Sequence, residues 1–359
     1  VIYNFSAGPA MLPAPVLAKA QKELLNWQGL GFSVMEISHR DPIYLKMTEE
    51  AEEDLRDLMG ISDDYSVLFM HGGGRGQFSA VPQNIAGENA RVDYLHTGIW
   101  SEYAIKEARK YVSHVNEIKA VELRDGLQTV SDPSEWNLTE GAAYFHYCPN
   151  ETVDGIAVRS VPEVDAPVVA DMSSVILAEP IDVSKFGVIY AGAQKNIGPS
   201  GFSVVIIRNA LLETQQQRVC TVMNYKVQAA ERSLYNTPNT FAWYLAAEVF
   251  KWLKAEGGVE AMSAHNERKA SLLYECIDNS SFYVNRIAPA NRSIMNVPFQ
   301  LVNSELDNVF LAEASKAGLM ALKGHRFVGG MRASMYNAMP YEGAVALVDF
   351  MTRFANAHK

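Results

Sequence analysis

The chain predicts an α/β fold: a large unit with a mainly parallel sheet covered by helices, then a smaller α+β unit at the C-terminal end. Three observations carry this expectation. From residue 65 onward, short apolar runs alternate with glycine-rich or polar turns and helix-like stretches. Near residue 255 the alternation stops. The length of 359 residues exceeds one ordinary domain. The expected division is therefore 13–255 and 256–359, with 1–12 packing on the smaller unit.

The strand candidates, in order, are 65–70 (YSVLFM), 91–96 (RVDYLH), 142–148 (AAYFHYC), 166–171 (APVVAD), 187–192 (GVIYAG) and 202–208 (FSVVIIR). Each is rich in β-branched or aromatic residues and bounded by turns. Helices are expected between some of them, near GGGRGQFSAVPQNI and over the amphipathic 100–112. A long helix is expected after YNTPNT, with Thr237 as its cap and Pro238 at its first position. A second covers 259–277. The smaller unit holds RSIMNVPFQLV, the helix-like ELDNVFLAEASKAGL, a glycine-rich basic stretch and a last helix, YEGAVALVDFMTRFANAH.

Composition narrows the function. Apolar residues make up 48% and charged residues 20%, enough for a large core. With 41 acidic against 31 basic residues the net charge is −10. Nucleic acids and anionic membranes call for a positive field, so neither is an expected partner. Any anionic ligand must be held by basic groups gathered locally. Cys148, Cys220 and Cys276 are odd in number and widely spaced, which reads as free thiols in a reducing compartment, with no zinc or other metal site. The opening VIYNFSAGPAMLPAP lacks the pattern of a signal peptide, and FAWYLAAEVFKWLKA is too short and too charged to span a bilayer. A cytoplasmic location is expected.

In open α/β sheets, ligands sit outside the carboxyl ends of the strands. There the chain places HGGGRGQ after the first run, TGIW after the second, PNETVDG after the third, Asp171 closing the fourth and Lys195 just past the fifth. The glycine loop matches neither a dinucleotide fingerprint, since Gln77 and Ser79 occupy the sixth positions counted from Gly72 and Gly74, nor a P-loop. It is either a flexible turn or an anion cradle at a helix start, with Arg75 adding charge. Trp100 alone reads as core, and Thr152 as a turn residue with local hydrogen bonds. Asp171, if buried, needs a partner. Lys195 sits among Tyr190, Ala191, Ala193 and Ile197. A lysine so enclosed has a lowered pKa, and its neutral amine can attack a carbonyl to form a Schiff base. An aspartate 24 positions earlier, on a preceding strand, suits the pyridine nitrogen of pyridoxal phosphate.

Seven stretches, NFSAGPAMLP, SVMEISHRD, HGGGRGQF, HYCPNETVDGI, YAGAQKNIGPSG, YNTPNTFAWYL and KGHRFVGGMRASMYNAMP, resemble the phosphoserine aminotransferases in this order and over nearly the whole chain. These are fold-type-I pyridoxal phosphate enzymes of the class V aminotransferase group. The resemblance implies a mainly parallel seven-stranded sheet in the large domain. It implies Lys195 as the Schiff-base lysine, Asp171 as partner of the ring nitrogen, Trp100 stacked on the ring and Thr152 near the ring hydroxyl. Gly74, Arg75 and Gln194 would hold the cofactor phosphate, with Asn236 and Thr237 supplied by the neighbouring subunit of a homodimer with shared active sites. One departure is Ala7, where the family often has a serine.

Three basic clusters stand apart from balancing acids: His39 with Arg40, Arg75, and His325 and Arg326 with Arg332. Either they are solvated surface charge or they bind carboxylate and phosphate oxygens, which suit arginine's planar fork. The resemblance gives Arg332 the α-carboxylate. It leaves His39, Arg40, Arg75, His325 and Arg326 for the substrate phosphate or the glutamate side chain. The implied reaction is reversible transamination between glutamate and 3-phosphohydroxypyruvate, giving O-phosphoserine and 2-oxoglutarate in serine biosynthesis. Bacterial relatives also handle a phosphorylated hydroxythreonine of vitamin B6 synthesis, and the sequence leaves open whether this chain does. The rivals are an alanine–glyoxylate type aminotransferase, a cysteine desulfurase, a cofactor-free lysine aldolase and a non-catalytic binding protein.

Overall fold

The computed structural model describes residues 1–214 and 219–358. The chain opens with β1 (Tyr3–Asn4), α1 (Ala14–Glu23) and α2 (Pro42–Met59), two helices that the run pattern does not single out. The start of α2 follows capping chemistry: Asp41 Oδ1 accepts from the Ile43 amide at 2.8 Å, and Pro42 occupies the first position. Gly60, at φ 64, ends it.

The central elements are β2 (Tyr65–His71), α3 (Gly73–Ile85), β3 (Arg91–His96), α4 (Ile99–Ala108), β4 (His114–Lys119), the hairpin β5 (Val121–Arg124) and β6 (Leu127–Val130), β7 (Phe145–Tyr147), β8 (Val168–Asp171), β9 (Val188–Gly192) and β10 (Phe202–Arg208). Seven of these strands form one sheet in the order β2-β10-β9-β8-β7-β3-β4. All six runs read from the sequence are present, with 142–148 and 166–171 trimmed to three and four residues. Every residue of β7, β8 and β9 is buried, as expected of strands covered on both faces. Each fully buried valine or isoleucine there contributes about 1.5–3 kcal/mol of transfer free energy. The seventh strand, β4, lies at an edge and alternates poorly, so the sequence pattern misses it.

Only β10 runs antiparallel, against both β2 and β9. Two reversals restore direction, so β2 ends on the same edge of the sheet as β3, β7, β8 and β9. The chain leaves β9 at Gly192, turns and re-enters the sheet at Phe202, where Ala193 N donates to Phe202 O at 3.0 Å. That short reversal carries Lys195.

The C-terminal elements are α5 (Tyr225–Ala230), α6 (Thr240–Ala255), α7 (Gly258–Asp278), β11 (Tyr283–Val284), β12 (Asn296–Leu301), α8 (Asp307–Lys316), β13 (Leu319–Met320), β14 (Met331–Ser334) and α9 (Tyr341–Ala357). Phe69 of β2 stacks on Trp243 of α6 with ring centroids 4.4 Å apart, fixing that helix to the large sheet. The α6 start corrects the sequence expectation. Asn239, not Thr237, is the cap, its Oδ1 accepting from Ala242 N at 3.0 Å. Asparagine is the stronger capping residue, and Pro238 falls before the helix. Strands β11, β12 and β14 form a second, antiparallel sheet, and β1 pairs in parallel with β13. Cys148, Cys220 and Cys276 are all unpaired.

The two sheets meet closely at Gly155. It sits at φ +73, and a Cβ there would run into the Pro298 ring and stand 3.1 Å from Asn296 O. Gly155→Ala should cost about 2–4 kcal/mol through left-handed backbone and overlap. Urea unfolding followed by tryptophan fluorescence measures this, and a loss below about 1 kcal/mol would mean that the turn relaxes.

Candidate active site

Lys195 lies on the reversal between β9 and β10, and Tyr190, Ala191, Ala193 and Ile197 around it are fully buried. The lysine itself is buried, and its Nζ donates to Thr152 Oγ1 at 2.6 Å. Burial pushes the amine down to about 8; Asp171 opposes this shift and Arg332 adds to it. Thr152 comes from the loop after β7, so the hydrogen bond joins the ends of β7 and β9 across the end of β8.

Asp171 is the last residue of β8. Its Oδ1 accepts from Ser173 Oγ at 2.6 Å and from Ser173 N at 3.0 Å, an Asx-type turn built by the local Asp-x-Ser sequence. Burial raises the carboxyl above the usual aspartate range, while the Ser173 bonds and Lys195 act against it. Ser173 Oγ also accepts from Gly192 N at 2.9 Å, which ties this turn to the end of β9.

The glycine loop follows β2. Gly72 and Gly73 have φ values of 89° and 61°, and no side chain caps α3. Its first amides are therefore open to an anion. The loop also packs tightly. A Cβ on Gly74 would stand 3.0 Å from Ser173 Oγ, and one on Gly192 would stand 3.0 Å from Gly74 N. The neighbouring α4 is arranged differently. Buried Glu151 accepts from Trp100 N, Ser101 N and Ser101 Oγ at 2.9, 2.9 and 2.6 Å, and Asp154 Oδ2 accepts from Ile99 N at 3.1 Å. That helix start is filled by the protein's own carboxylates. Burial holds Glu151 up at about 7.

This anchoring sets Trp100 in place. Its ring centroid lies 5.7 Å from Lys195 Nζ and 5.4 Å from Arg75 Cζ, and its buried Nε1 has no partner. Gly74, Arg75, Trp100, Thr152, Asp171, Gln194 and Lys195 all line one cavity of about 400 Å³, together with Gly8, Pro9, Asn150, Ser173 and Ser200. Arg332 borders it, one guanidinium nitrogen donating to Thr152 O at 3.3 Å.

The other sequence-predicted residues do not line that cavity. His39 and Arg40 stand just before α2; Arg40 is exposed, and His39 Nε2 is buried without a partner. His325 and Arg326 lie on the 324–330 loop, and Arg326 is exposed. Burial, Arg332 and Arg326 lower the His325 pKa, while Asp154 acts to raise it. Asn236 donates to His71 Nε2 at 3.0 Å, and Thr237 is exposed. Among the described residues, Arg40, Arg75, Arg326 and Arg332 form no ion pair with a carboxylate. Ala7 meets the site through its main chain, its carbonyl accepting from Tyr336 Oη at 2.7 Å. Sequence reasoning missed Ser173, Glu151 and Tyr336. The Asp-x-Ser spacing was a usable signal for the first, whereas the other two emerge only from the folded chain.

A buried amine of low pKa, a buried carboxylate, a flat aromatic wall and an uncapped glycine-rich helix start suit a planar aldehyde with an anionic tail. Comparison with known proteins agrees. Residues 2–347 match the model of the class-V aminotransferases. The phosphoserine aminotransferase of Idiomarina loihiensis is 64% identical over 353 residues, which are 98% of each chain. That of Bacillus circulans subsp. alkalophilus is 41% identical and superposes with a TM-score of 0.95, covering 100% of this chain and 99% of the other. The PLP-bound phosphoserine aminotransferase of Trichomonas vaginalis is 43% identical, with a TM-score of 0.93 over 98% of this chain and 100% of its own. The chain belongs to the class-V aminotransferase family, among the phosphoserine aminotransferases.

Proposed function

We propose that this chain catalyses reversible amino transfer between glutamate and 3-phosphohydroxypyruvate, giving O-phosphoserine and 2-oxoglutarate, with pyridoxal phosphate as cofactor. The observation that carries this reading is the shared cavity of Lys195 and Asp171, walled by Trp100 and opening onto the start of α3. The identity of 64% to a phosphoserine aminotransferase supports the substrate class.

The residues fit the cofactor. Gly74, Arg75 and Gln194 are the phosphate holders, because the α3 amides are uncapped and Gly74 keeps that surface clear of a side chain. Trp100 would cover the ring and keep water from it. Thr152 would serve the ring hydroxyl, and Asp171 would hold a proton at the ring nitrogen. When bound, pyridoxal phosphate supplies an aldehyde that condenses with amines and a ring that accepts electrons from a carbanion. With the cofactor bound, Lys195 would be the amine that holds the aldehyde and, when free, the general base for the substrate Cα proton. Arg332, beside Thr152, takes the substrate α-carboxylate. His39, Arg40, His325 and Arg326 receive the distal phosphate or carboxylate.

Six of these expected residues lie outside the chain's own cavity, which favours a homodimer with shared sites. In it, Asn236 and Thr237 reach the phosphate of the partner's cofactor. Leu25, Met35 and Tyr235 are 82%, 55% and 42% exposed, apolar side chains available to such an interface. The boundary between the two units is taken at 255–256, close to where Gly257 separates α6 from α7. We assign the chain to the cytoplasm; no described helix is long and apolar enough to cross a membrane.

Lys195→Ala should abolish turnover with O-phosphoserine while the protein stays folded, and full activity would remove the lysine from the chemistry. The neutral fraction of Lys195 grows as pH rises through about 8. Uptake of pyridoxal phosphate by the apoenzyme should therefore accelerate about tenfold per pH unit below that value and level off above it. A flat profile between about pH 6 and 9 would mean that no group titrating near 8 governs the reaction. Arg326→Ala should raise KM for O-phosphoserine by about 10–100-fold and change that for glutamate far less. Equal losses for both would take Arg326 out of the phosphate role.

A further inference from the structure

Outside the cavity, one more lysine is buried among the described residues. Lys269, on α7, is fully buried and forms no ion pair among the described residues. Its Nζ donates instead to three main-chain carbonyls, Met335 O at 3.2 Å, Tyr336 O at 2.9 Å and Met339 O at 3.0 Å. An ammonium has three donors and no acceptor, so it matches three converging carbonyls that no neutral side chain satisfies alone. His265 Nε2 donates to the same Met339 O at 3.1 Å. One turn of α7 away, Asn266 Nδ2 donates to Asn337 Oδ1 at 2.9 Å, and Asn337 N donates to Asn196 Oδ1 at 3.1 Å. The 335–339 turn is thus gripped from α7 and joined to the residue after Lys195.

The same turn presents Tyr336 to the active site. Tyr336 Oη donates to Ala7 O at 2.7 Å and accepts from Asn296 Nδ2 at 3.1 Å. The residue after Ala7, Gly8, packs on the lysine: a Cβ there would stand 3.7 Å from both Cγ and Cε of Lys195. Contacts therefore run from a helix remote from the cavity to the side chain of the reacting lysine and to the residue after it. We propose that Lys269 is a positioning residue: by closing the 335–339 turn on its Nζ, it fixes Tyr336 and, through it, the Ala7–Gly8 main chain against which the Lys195 side chain packs. Burying an uncompensated charge is costly, and its three partners all lie in the one turn that carries Tyr336. The inference rests on Lys195 being the reacting amine.

The test is a double-mutant cycle on the enzyme loaded with pyridoxal phosphate, using Lys269→Met, Tyr336→Phe and the double variant. The single-turnover rate of the colour change on adding O-phosphoserine is read against substrate concentration, and thermal midpoints are recorded separately. Each single change should slow the maximal rate about tenfold with little change in half-saturation, and the double variant should be no slower than the slower single one. If Lys269→Met does not fold, Lys269→Gln, which keeps two donors, takes its place in the same cycle and should recover part of the rate. Losses that multiply to about a hundredfold, or a wild-type rate in a variant of lowered thermal midpoint, would overturn the proposal. Lys195→Ala separates the two failures. If it still turns over, the reading of the site is wrong; if it is dead while the Lys269 variants keep the wild-type rate, only the positioning role falls.

Discussion

A lysine amine enclosed by apolar side chains at the carboxyl edge of a parallel sheet gives up most of its hydration, and one 2.6 Å bond to a threonine hydroxyl replaces part of it. Much of the local architecture keeps that arrangement in place. Asp171 supplies the nearby negative charge, and Ser173 holds the aspartate to the end of β9. Thr152 sits between Glu151, which anchors α4, and the bond from Arg332 that holds its own carbonyl. Hydroxyl, carboxylate and arginine come from the loop after β7, the end of β8 and strand β14 of the second sheet, so the packing of the two sheets determines whether they meet.

The same edge carries two helix starts with opposite fates. The α4 start is occupied by Glu151 and Asp154, which satisfy its amides and use up its positive end. The α3 start has no side-chain cap and is lined with glycine. An anionic group entering the cavity is thereby directed to one helix and not the other. The filled helix has a different task, holding the Trp100 ring above the amine.

Much of this was legible in the sequence. Strands buried on both faces, parallel or not, write themselves as continuous apolar runs, so β7 to β10 and the residues after them could be found by eye. Lys195 was legible because its neighbours are apolar, and Asp171 because it closes such a run. The edge strand β4 mixes Asn116 and Glu117 with Val115 and Ile118 and reads like a turn region. The β5–β6 hairpin was missed despite its Asp125–Gly126 pair, both at positive φ and suited to a two-residue turn. The α6 cap was misplaced because Thr237-Pro238 and Asn239-Thr240 offer competing starts within four residues. Glu151, Tyr336 and Lys269 are ordinary-looking in sequence. Their partners are far away along the chain, and no local periodicity reports them.

The reversal that carries Lys195 differs from the other loops at this edge, which lead into helices or long crossovers. Both of its arms are sheet strands: Ser203 is paired opposite Gly192, and Ala193 N is held by Phe202 O. A peptide segment clamped on both sides resists local opening, and its amides should exchange with solvent among the slowest in the chain. The backbone at the lysine is then a fixed hinge post. Whatever travel the amine needs between its resting bond and the substrate carbon must come from rotation about its own four side-chain torsions, within a few ångströms of Thr152. Lengthening this reversal by one residue would lengthen that travel without touching a single atom that performs chemistry.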